Sequence, residues 1–440
     1  MVPLFSKHQG SLRTRIIQGA FGSLMLKVSA TGMTMAVAIV LARWLGARGF
    51  GIYAFSLSVA QLLTVPAMLG LPQLMVREVS ACKTKGAFSL MRGLLTRAWQ
   101  SVLAASLVLV GLAGGVAYVV AERIDAMELS VFWPALLLVP LTAMIQVYDG
   151  ALRGLGRIVL GQLPRMLIKN GLFIIFLLVF FLFLPARVDA DTAIGLQVAA
   201  TLAAAALIWI FLKRALPGEV KRSTPQYKTR AWMKSAWPML AAGGMYILNQ
   251  EISLIMLGIF GKAEEAGFFR VAQRGAELIA FGLLAVSMAI GPTISTLFVN
   301  GRMDQLQTVL TKSARAILAF ALPVALILMT SANWLVPFVF GAEFKLAAMP
   351  LIILCAGQLV NAAMGPVGLV LTMTRHEHLT AAGVAIAAFV NLVLCAVLVP
   401  FLGAIGAAAA TSLALVLWNI LLAVWLFKRL GLSAGALGTA

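Results

Sequence analysis

Near the middle of the chain stands AGFFRVAQRGAELIAFGLLAVSMAIGPTISTLFV, residues 266–299, which is long and apolar enough to cross a membrane as a helix. Its first half nevertheless carries Arg270, Arg274 and Glu277 at i, i+4, i+7 spacing. Because an α-helix has about 3.6 residues per turn, these side chains fall on one narrow face. Charges in hydrocarbon are costly unless they face a bundle interior or a wet cavity. The stretch therefore predicts a helix over residues 266–298 that other helices surround.

The composition extends this interpretation to the whole chain. Of 440 residues, 62% are hydrophobic and 11% are charged, and the mean hydropathy is +1.00. Apolar runs of membrane-spanning length recur from end to end, which is typical of an all-α polytopic membrane protein and excludes a soluble globular domain. The net charge of +19 is attributed to Lys and Arg on cytoplasmic loops rather than to nucleic-acid binding.

About twelve transmembrane helices are expected, in two sets of six. Their approximate ranges are 16–41, 50–71, 97–120, 129–149, 165–184, 192–212, 232–260, 266–298, 308–330, 347–373, 379–400 and 404–427. The basic stretch 213–234, which contains Pro217, Gly218 and Pro225, separates them. We therefore predict an N-terminal bundle over 1–212, a cytoplasmic linker over 213–234 and a C-terminal bundle over 235–440.

The distribution of basic residues predicts the orientation. With both termini cytoplasmic, 25 of the 34 Lys and Arg residues lie on inner segments and six on outer loops. Positive charge concentrates on the cytoplasmic side of membrane proteins. The count favours the twelve-helix topology and a multi-pass protein with cytoplasmic N- and C-termini.

An internal repeat relates the two halves. LARWLGARGFGIYAFSLSVAQLL (41–63) and LGIFGKAEEAGFFRVAQRGAELI (257–279) both run from an apolar helix through Gly and a short charged turn to a Gly-aromatic start of the next helix. GALRGLGRIVLGQL (150–163) and LVLTMTRHEHLTAAG (369–383) follow the fourth and tenth predicted spans. Repeated halves are a recurring transporter architecture, with the binding site at their interface.

The stretch LGARGFGIYAFSLSVAQLLTVPAMLGLPQLMVREVS (45–80) resembles the start of bacterial polysaccharide flippases. It has a Gly-x-x-x-x-Gly-x-Tyr turn, a helix ending Leu-Gly-Leu-Pro, and an Arg-Glu pair at the predicted inner face. These are the O-antigen and exopolysaccharide translocases of the multidrug/oligosaccharidyl-lipid/polysaccharide (MOP) exporter superfamily. The resemblance covers essentially the whole chain, although its sharpest motif is confined to these residues.

This resemblance implies a MATE-like, V-shaped pair of six-helix bundles around a central cavity. It also implies residence in the bacterial inner membrane, with undecaprenyl-pyrophosphate-linked oligosaccharide and membrane lipids as partners. Polysaccharide polymerase and ligase machinery are further expected partners, and nucleic acid is not. No bond-making chemistry, cofactor or metal site is expected, and coupling to Na⁺ or H⁺ is left open.

Intramembrane cations are the first candidate site residues. Lys27 lies about 16 Å from the inner end of the first span at ~1.5 Å per residue, on a face that contains Thr31 and Thr34. Arg274 enters from the outer side, so it is expected to meet Lys27 near mid-membrane. Lys and Arg can replace water around phosphate oxygens. The alternative is that Arg270, Arg274 and Glu277 pair with one another or with a neighbour.

Polar side chains of the seventh span are further candidates. Tyr246, Asn249 and Gln250 share a face suited to sugar hydroxyls. Glu251 points away from it and is either an ion-pair partner or a protonatable coupling residue. Asp149 lies beside Arg153 at the inner end of the fourth span, where a salt bridge is the main expectation.

Two Gly-Pro pairs, Gly291-Pro292 and Gly365-Pro366, are candidate hinges for alternating access, because proline frees a carbonyl and permits kinking. Close helix packing is the alternative interpretation of these positions.

Two other functions remain open from the sequence. A multidrug cation antiporter of the same superfamily would require an acidic cavity, whereas three cations (Lys27, Arg270, Arg274) here face two acids (Glu251, Glu277). A membrane-embedded glycosyltransferase or polymerase would require large outer loops, and the predicted ones are short.

Overall fold

A computed structural model of the chain describes residues 6–120, 126–183 and 188–436, and every regular element in these ranges is a helix. This follows from the composition, because apolar segments in lipid must satisfy their backbone hydrogen bonds internally. Nine of the helical segments described are long and apolar enough to cross a membrane. The all-α polytopic prediction is therefore confirmed in architecture.

Each of the two longest helices is interrupted by a glycine with a non-helical backbone conformation. Helix α1 spans Ser6–Ala67 and is interrupted at Gly46, where φ is 67° and ψ −178°. The last helix, Glu377–Leu430, is interrupted at Gly403, where φ is 54° and ψ −128°. With these two divisions and the 31-residue helix Thr229–Ile259, the described helices accommodate the twelve predicted spans.

Contacts divide the chain into two compact units. The first comprises Met1–Val37 and Ala60–Gly244, and the second comprises Ala38–Val59 and Met245–Ala440. The segment Ala38–Val59 of α1 is thus packed with the C-terminal half of the chain. The bundle boundaries given above follow chain order and stay a prediction.

The first unit contains helices α2 to α9 with the flanking parts of α1 and α10. Their bounds are α2 Leu71–Lys85, α3 Phe88–Val120, α4 Ala126–Leu136, α5 Leu138–Gly154, α6 Ile158–Leu163, α7 Lys169–Phe183, α8 Ala190–Ala215, α9 Gly218–Arg222 and α10 Thr229–Ile259. A π-helical turn, Pro164–Ile168, joins α6 to α7. Helix α5 packs against α2, α3 and α8 and forms the centre of this unit.

The basic linker is ordered on the first unit. The N–H of Gln226 donates to the Ser89 carbonyl over 3.0 Å, and Arg92 donates to the Lys221 carbonyl over 3.0 Å. Hydrogen bonds to main-chain carbonyls therefore hold the linker against the start of α3.

The second unit contains the remaining helices. Their bounds are α11 Ala263–Glu277, α12 Ala280–Val299, α13 Met303–Phe340, α14 Ala348–Met364, α15 Val367–Met373 and α16 Glu377–Leu430, with a 3₁₀ turn at Ala342–Ala347. Helix α14 packs between α13 and α16. After α16 the chain returns to α13, where Gln307 donates to the Ser433 carbonyl and accepts from the Ser433 N–H, both over 2.8 Å.

The two glycine interruptions are built alike. After Gly46, the Ala47 N–H donates to a Glu343 carboxylate oxygen over 3.1 Å. After Gly403, the Ala404 N–H donates to a Glu265 carboxylate oxygen over 2.8 Å. In each case a carboxylate from a distant segment caps a restarting helix, where it satisfies an orphan N–H and complements the helix dipole.

The internal repeat has a structural counterpart. Gly51 of α1 and Gly267 of α11 face each other, and a Cβ on either would overlap a backbone carbonyl of the other helix. The Gly-aromatic motifs of 41–63 and 257–279 are thus in direct backbone contact, which only small residues permit. The segments of the other repeat pair each contain a turn residue with positive φ: Gly156 at 83° and Arg375 at 64°.

Two predicted spans are divided. The chain tightens after Glu277, where the Leu278 and Ile279 N–H groups bond three residues back, so 266–298 forms α11 and α12. Within the predicted 347–373 span, helix α14 ends at Met364, because Gly365 adopts a non-helical conformation with φ 71° and ψ −165°. Hydropathy identifies apolar length, and it does not report where the backbone turns.

Candidate functional site

The Arg270 side chain of α11 is buried in an ion pair within the second unit. Its Nη2 lies 2.9 Å from the Glu251 carboxylate of α10 and also bonds the hydroxyl of Ser58. The Ser58 hydroxyl in turn donates to the same carboxylate oxygen over 2.6 Å. The alternative in which Glu251 is an ion-pair partner describes this geometry, and Ser58 is a participant that the sequence analysis missed.

Arg274 lies one turn further along α11 and pairs with Glu277. Its Nη1 lies 2.9 and 3.2 Å from the two carboxylate oxygens. This pair is more accessible, because the Arg274 side chain is 23% exposed and that of Glu277 is 35% exposed. The charged face of α11 therefore changes from a buried pair to a partly exposed one within a single turn.

The polar face of α10 is divided between packing and exposure. The Asn249 amide oxygen accepts from Asn391 of α16 over 3.4 Å, and the Ser253 hydroxyl lies 2.7 Å from that of Thr411. Gln250 is exposed. The Tyr246 side chain lies outside the part of the structure that is described.

Lys27 lies in α1 within the first unit and is partly exposed. Its helix runs beside α6 and α7: a Cβ on Gly22 would lie 3.0 Å from Val159, and Asn170 donates to the Thr34 hydroxyl over 3.4 Å. Among the residues described in this unit, no carboxylate forms an ion pair with Lys27. Its charge therefore remains available on a face that also carries hydroxyl and amide groups.

Asp149 of α5 is enclosed between two arginines. Its carboxylate oxygens lie 3.2 Å from Nε of Arg153 and 3.8 Å from Nε of Arg165. The expected salt bridge to Arg153 is present. Arg165 is a missed residue, because its place in the sequence suggests an ordinary inner-loop cation.

The candidate hinges differ from each other. Gly365 and Pro366 form a real interruption between α14 and α15, whereas α12 continues through Gly291 and Pro292. The role of each Gly-Pro pair as a hinge for alternating access stays a prediction.

The intramembrane charges are distributed unequally between the units. In the second unit Arg270 and Arg274 are balanced by Glu251 and Glu277. In the first unit Arg153 and Arg165 share one acid, Asp149, and no described carboxylate of this unit pairs with Lys27. Of the three cations that the sequence analysis sets against two acids, Lys27 is therefore the one without a described ion-pair partner in its own unit. The described ranges contain no group of three or more His, Cys, Asp or Glu side chains arranged to hold a metal ion.

Comparison with known proteins agrees with the sequence resemblance. Residues 16–298, more than half of the chain, match the family described as polysaccharide biosynthesis protein. A probable low-salt glycan biosynthesis flippase, Agl15, of Haloferax volcanii is 26% identical over 184 residues, which are 42% of this chain and 39% of that protein. The chain therefore spans about two fifths of the length of that curated relative.

Solved structures share the fold. A multidrug resistance MATE family transporter of the MOP superfamily, in an inward-facing conformation, gives a TM-score of 0.76 at 13% identity and covers 93% of this chain and 98% of its own. Lipid II flippase MurJ, in an inward closed conformation, gives 0.70 at 13% identity over 94% and 87%. At these identities the likeness shows the fold alone. The chain thus belongs to the polysaccharide biosynthesis protein family and has the helical fold of the MOP superfamily, as the resemblance in residues 45–80 predicts.

Proposed function

We propose that this protein is a flippase that moves an undecaprenyl-pyrophosphate-linked oligosaccharide across the bacterial inner membrane by alternating access. The family match supports a role in polysaccharide biosynthesis, and the curated relative is itself a probable glycan flippase. The oligosaccharide is an O-antigen or exopolysaccharide repeat in this proposal. No covalent bond is made or broken in the transport step.

The observation that carries the proposal is the charge of Lys27, which pairs with no carboxylate among the described residues of its unit. A cation within a membrane helix is expensive and marks a pathway or a ligand. A headgroup pyrophosphate is an anion that must leave water, and a lysine ammonium supplies charge-assisted hydrogen bonds in exchange. Thr31 and Asn170 on the same side offer neutral polar groups for the sugars.

The partly exposed Arg274–Glu277 pair has a second role in the proposal. Glu277 holds the guanidinium when no substrate is present, and substrate phosphate competes for it during transport. The buried pair of Arg270 and Glu251 is instead assigned to holding α11 against α10. Asn249 and Gln250 are assigned to sugar contacts, together with Tyr246.

The surroundings follow from the same proposal. Both termini are cytoplasmic, and the polyprenyl tail stays in lipid while the headgroup crosses. Polymerase and ligase machinery act on the product at the outer face, and the proposal leaves open whether Na⁺ or H⁺ is coupled to the cycle. The predicted hinges at Gly365-Pro366 and Gly291-Pro292 permit the conformational change.

The test is complementation of a deletion strain that lacks surface polysaccharide. Loss of one charge-assisted contact costs about 1.5–3 kcal/mol, so Lys27→Ala is expected to reduce translocation at least about tenfold. Lys27→Arg should retain most of it, and Lys85→Ala, at an exposed position in the last turn of α2, is the matched charge control. Full polysaccharide in Lys27→Ala, with normal protein level in the membrane, would refute the cationic-site proposal.

The second candidate is a multidrug cation antiporter. It is disfavoured by charge, since the second unit's described membrane pairs are neutral and the first unit's cluster is cationic. Unchanged drug susceptibility in the deletion strain is the expected result, and a broad increase would support the antiporter.

A further inference from the structure

Two arginines in the first unit converge on one enclosed carboxylate. The Asp149 side chain is only 3% exposed, whereas those of Arg153 and Arg165 are 33% and 37% exposed. Each arginine approaches through Nε, the nitrogen nearest its chain. The acid is therefore sealed inside, and the two guanidinium groups extend from it toward accessible space.

The local backbone places Arg165 in this position. Pro164 begins the π-helical turn Pro164–Ile168, which closes with the Lys169 N–H on the Pro164 carbonyl. Such widened turns recur at functional sites, because they reorient side chains within a helix. Gly161, one turn earlier, allows α6 to approach Asp149, since a Cβ there would lie 2.8 Å from its carboxylate.

The contacts to Asp149 hold the arginines weakly. Within the described chain, Nε of Arg153, Nε of Arg165 and Oδ1 of Asp149 are buried and lack partners in hydrogen-bond geometry. The two guanidinium groups are thus oriented by charge, with one carboxylate shared between two cations. A second anion would gain the surplus positive charge at the partly exposed guanidinium groups.

Arg165 lies at about the same level as Lys27 in this unit. Along α1, Gly22 lies beside Val159 and Thr34 beside Asn170, so Lys27 lies between these two contact points, as does Arg165. The two cations are therefore placed at a similar depth on neighbouring helical segments.

We infer that Arg153 and Arg165, here called the inner arginine pair, bind the pyrophosphate of the lipid-linked substrate together with Lys27. This inference rests on the proposed function and adds two residues to its phosphate site. Each guanidinium presents a planar fork that matches phosphate oxygens bidentately. Asp149 acts as the positioning residue, because it holds both forks without occupying their outer edges.

The experiment measures binding of inorganic pyrophosphate to the purified full-length protein by isothermal titration calorimetry. Arg165→Ala and Arg153→Ala are each expected to weaken binding about tenfold or more, since each removes a charge-assisted fork. Arg157→Ala is the matched control, because Arg157 lies in the exposed turn between α5 and α6 and carries the same charge. It should bind as the unaltered protein does.

Further variants separate a binding role from a structural one. Arg165→Lys keeps the charge but loses the fork, so it should fold normally and bind with intermediate affinity. If Arg165→Ala fails to fold, Arg165→Lys and Arg153→Ala decide the question, and unchanged affinity in both would overturn the inference.

The source of the phosphate is tested in nanodiscs with and without phosphatidylglycerol. Pyrophosphate affinity should be the same in both, and displacement by phosphatidylglycerol would show a bulk-lipid site and overturn the inference. If Lys27→Ala weakens pyrophosphate binding and the inner-pair variants do not, the inference fails while the proposed function stands. If none of these variants weakens binding, both fail.

Discussion

Replacing Gly403 with alanine tests how α16 turns within the membrane. Gly403 adopts φ 54° and ψ −128° in the middle of this 54-residue helix. The next residue, Ala404, donates its N–H to the Glu265 carboxylate over 2.8 Å. The substitution therefore strains the backbone and disturbs the capping carboxylate together.

The expected cost follows from these two terms. A non-glycine residue in a sparsely populated positive-φ region costs about 1–3 kcal/mol. The new Cβ would also lie 2.7 Å from the carboxyl carbon of Glu265, so the carboxylate must move. Loss of a helix cap costs about 1 kcal/mol. Together the substitution should reduce the free energy of unfolding by about 3 kcal/mol.

Gly431→Ala, at the C-terminal end of α16, is the matched control. Gly431 also has positive φ, at 67°, but its ψ is 12° and no neighbouring atom lies within 4 Å of a Cβ there. Only the left-handed backbone penalty of about 1 kcal/mol applies. The difference between the two substitutions thus isolates the unusual ψ and the Glu265 contact.

Equilibrium unfolding in mixed detergent micelles measures both variants. We expect Gly403→Ala to be less stable than Gly431→Ala by about 2 kcal/mol, and Glu265→Ala alone to lose about 1 kcal/mol. Equal losses in the two glycine variants would refute the reasoning, because the environment of Gly403 would then add nothing to its backbone conformation.

Two further outcomes follow from the packing of the second unit. Glu251→Ala leaves Arg270 buried without its carboxylate and should cost about 3–5 kcal/mol in unfolding free energy. Glu277→Ala breaks a partly exposed pair and should cost only about 1 kcal/mol. Equal losses would show that burial of the pair is unimportant. Gly51→Ala should abolish the folded peak in size-exclusion chromatography, because its Cβ would overlap a backbone carbonyl of α11. Gly111→Ala, which has open space around its Cβ, is the control and should fold normally. A normal peak for both variants would contradict the close approach of the two helices.

Much of the fold was accessible from the sequence because membrane burial acts through local properties. Apolar length predicts the helices, and the repeat around 41–63 and 257–279 predicts two related halves. The contact between Gly51 and Gly267 adds what the repeat alone does not state, namely that the related motifs pack on each other. The break after Glu277 was missed, because hydropathy averages over the residues that turn. The break at Gly365 divides a predicted span, at a position that the sequence analysis names as a candidate hinge.

The candidate site was less accessible, because charges act on partners that are distant along the chain. Arg270, Arg274 and Glu277 were recognised as one helical face. Arg270, however, is bound by Ser58, 212 residues away, and by Glu251, 19 residues away. Arg165 resembled a loop cation until its distance to Asp149 was known. These ion pairs can be identified only from the distances between side chains in the folded structure.

The amino-acid sequence by itself therefore determined the environment of the protein: a helical chain in a membrane, with cations too costly to face lipid. That outcome rests on transfer free energies, which each residue contributes largely independently. Only the tertiary structure decided which cations are neutralised and which remain available. Electrostatic free energy depends on the distance between groups and on their burial, and the fold sets both for Arg270 beside Glu251 and for Lys27.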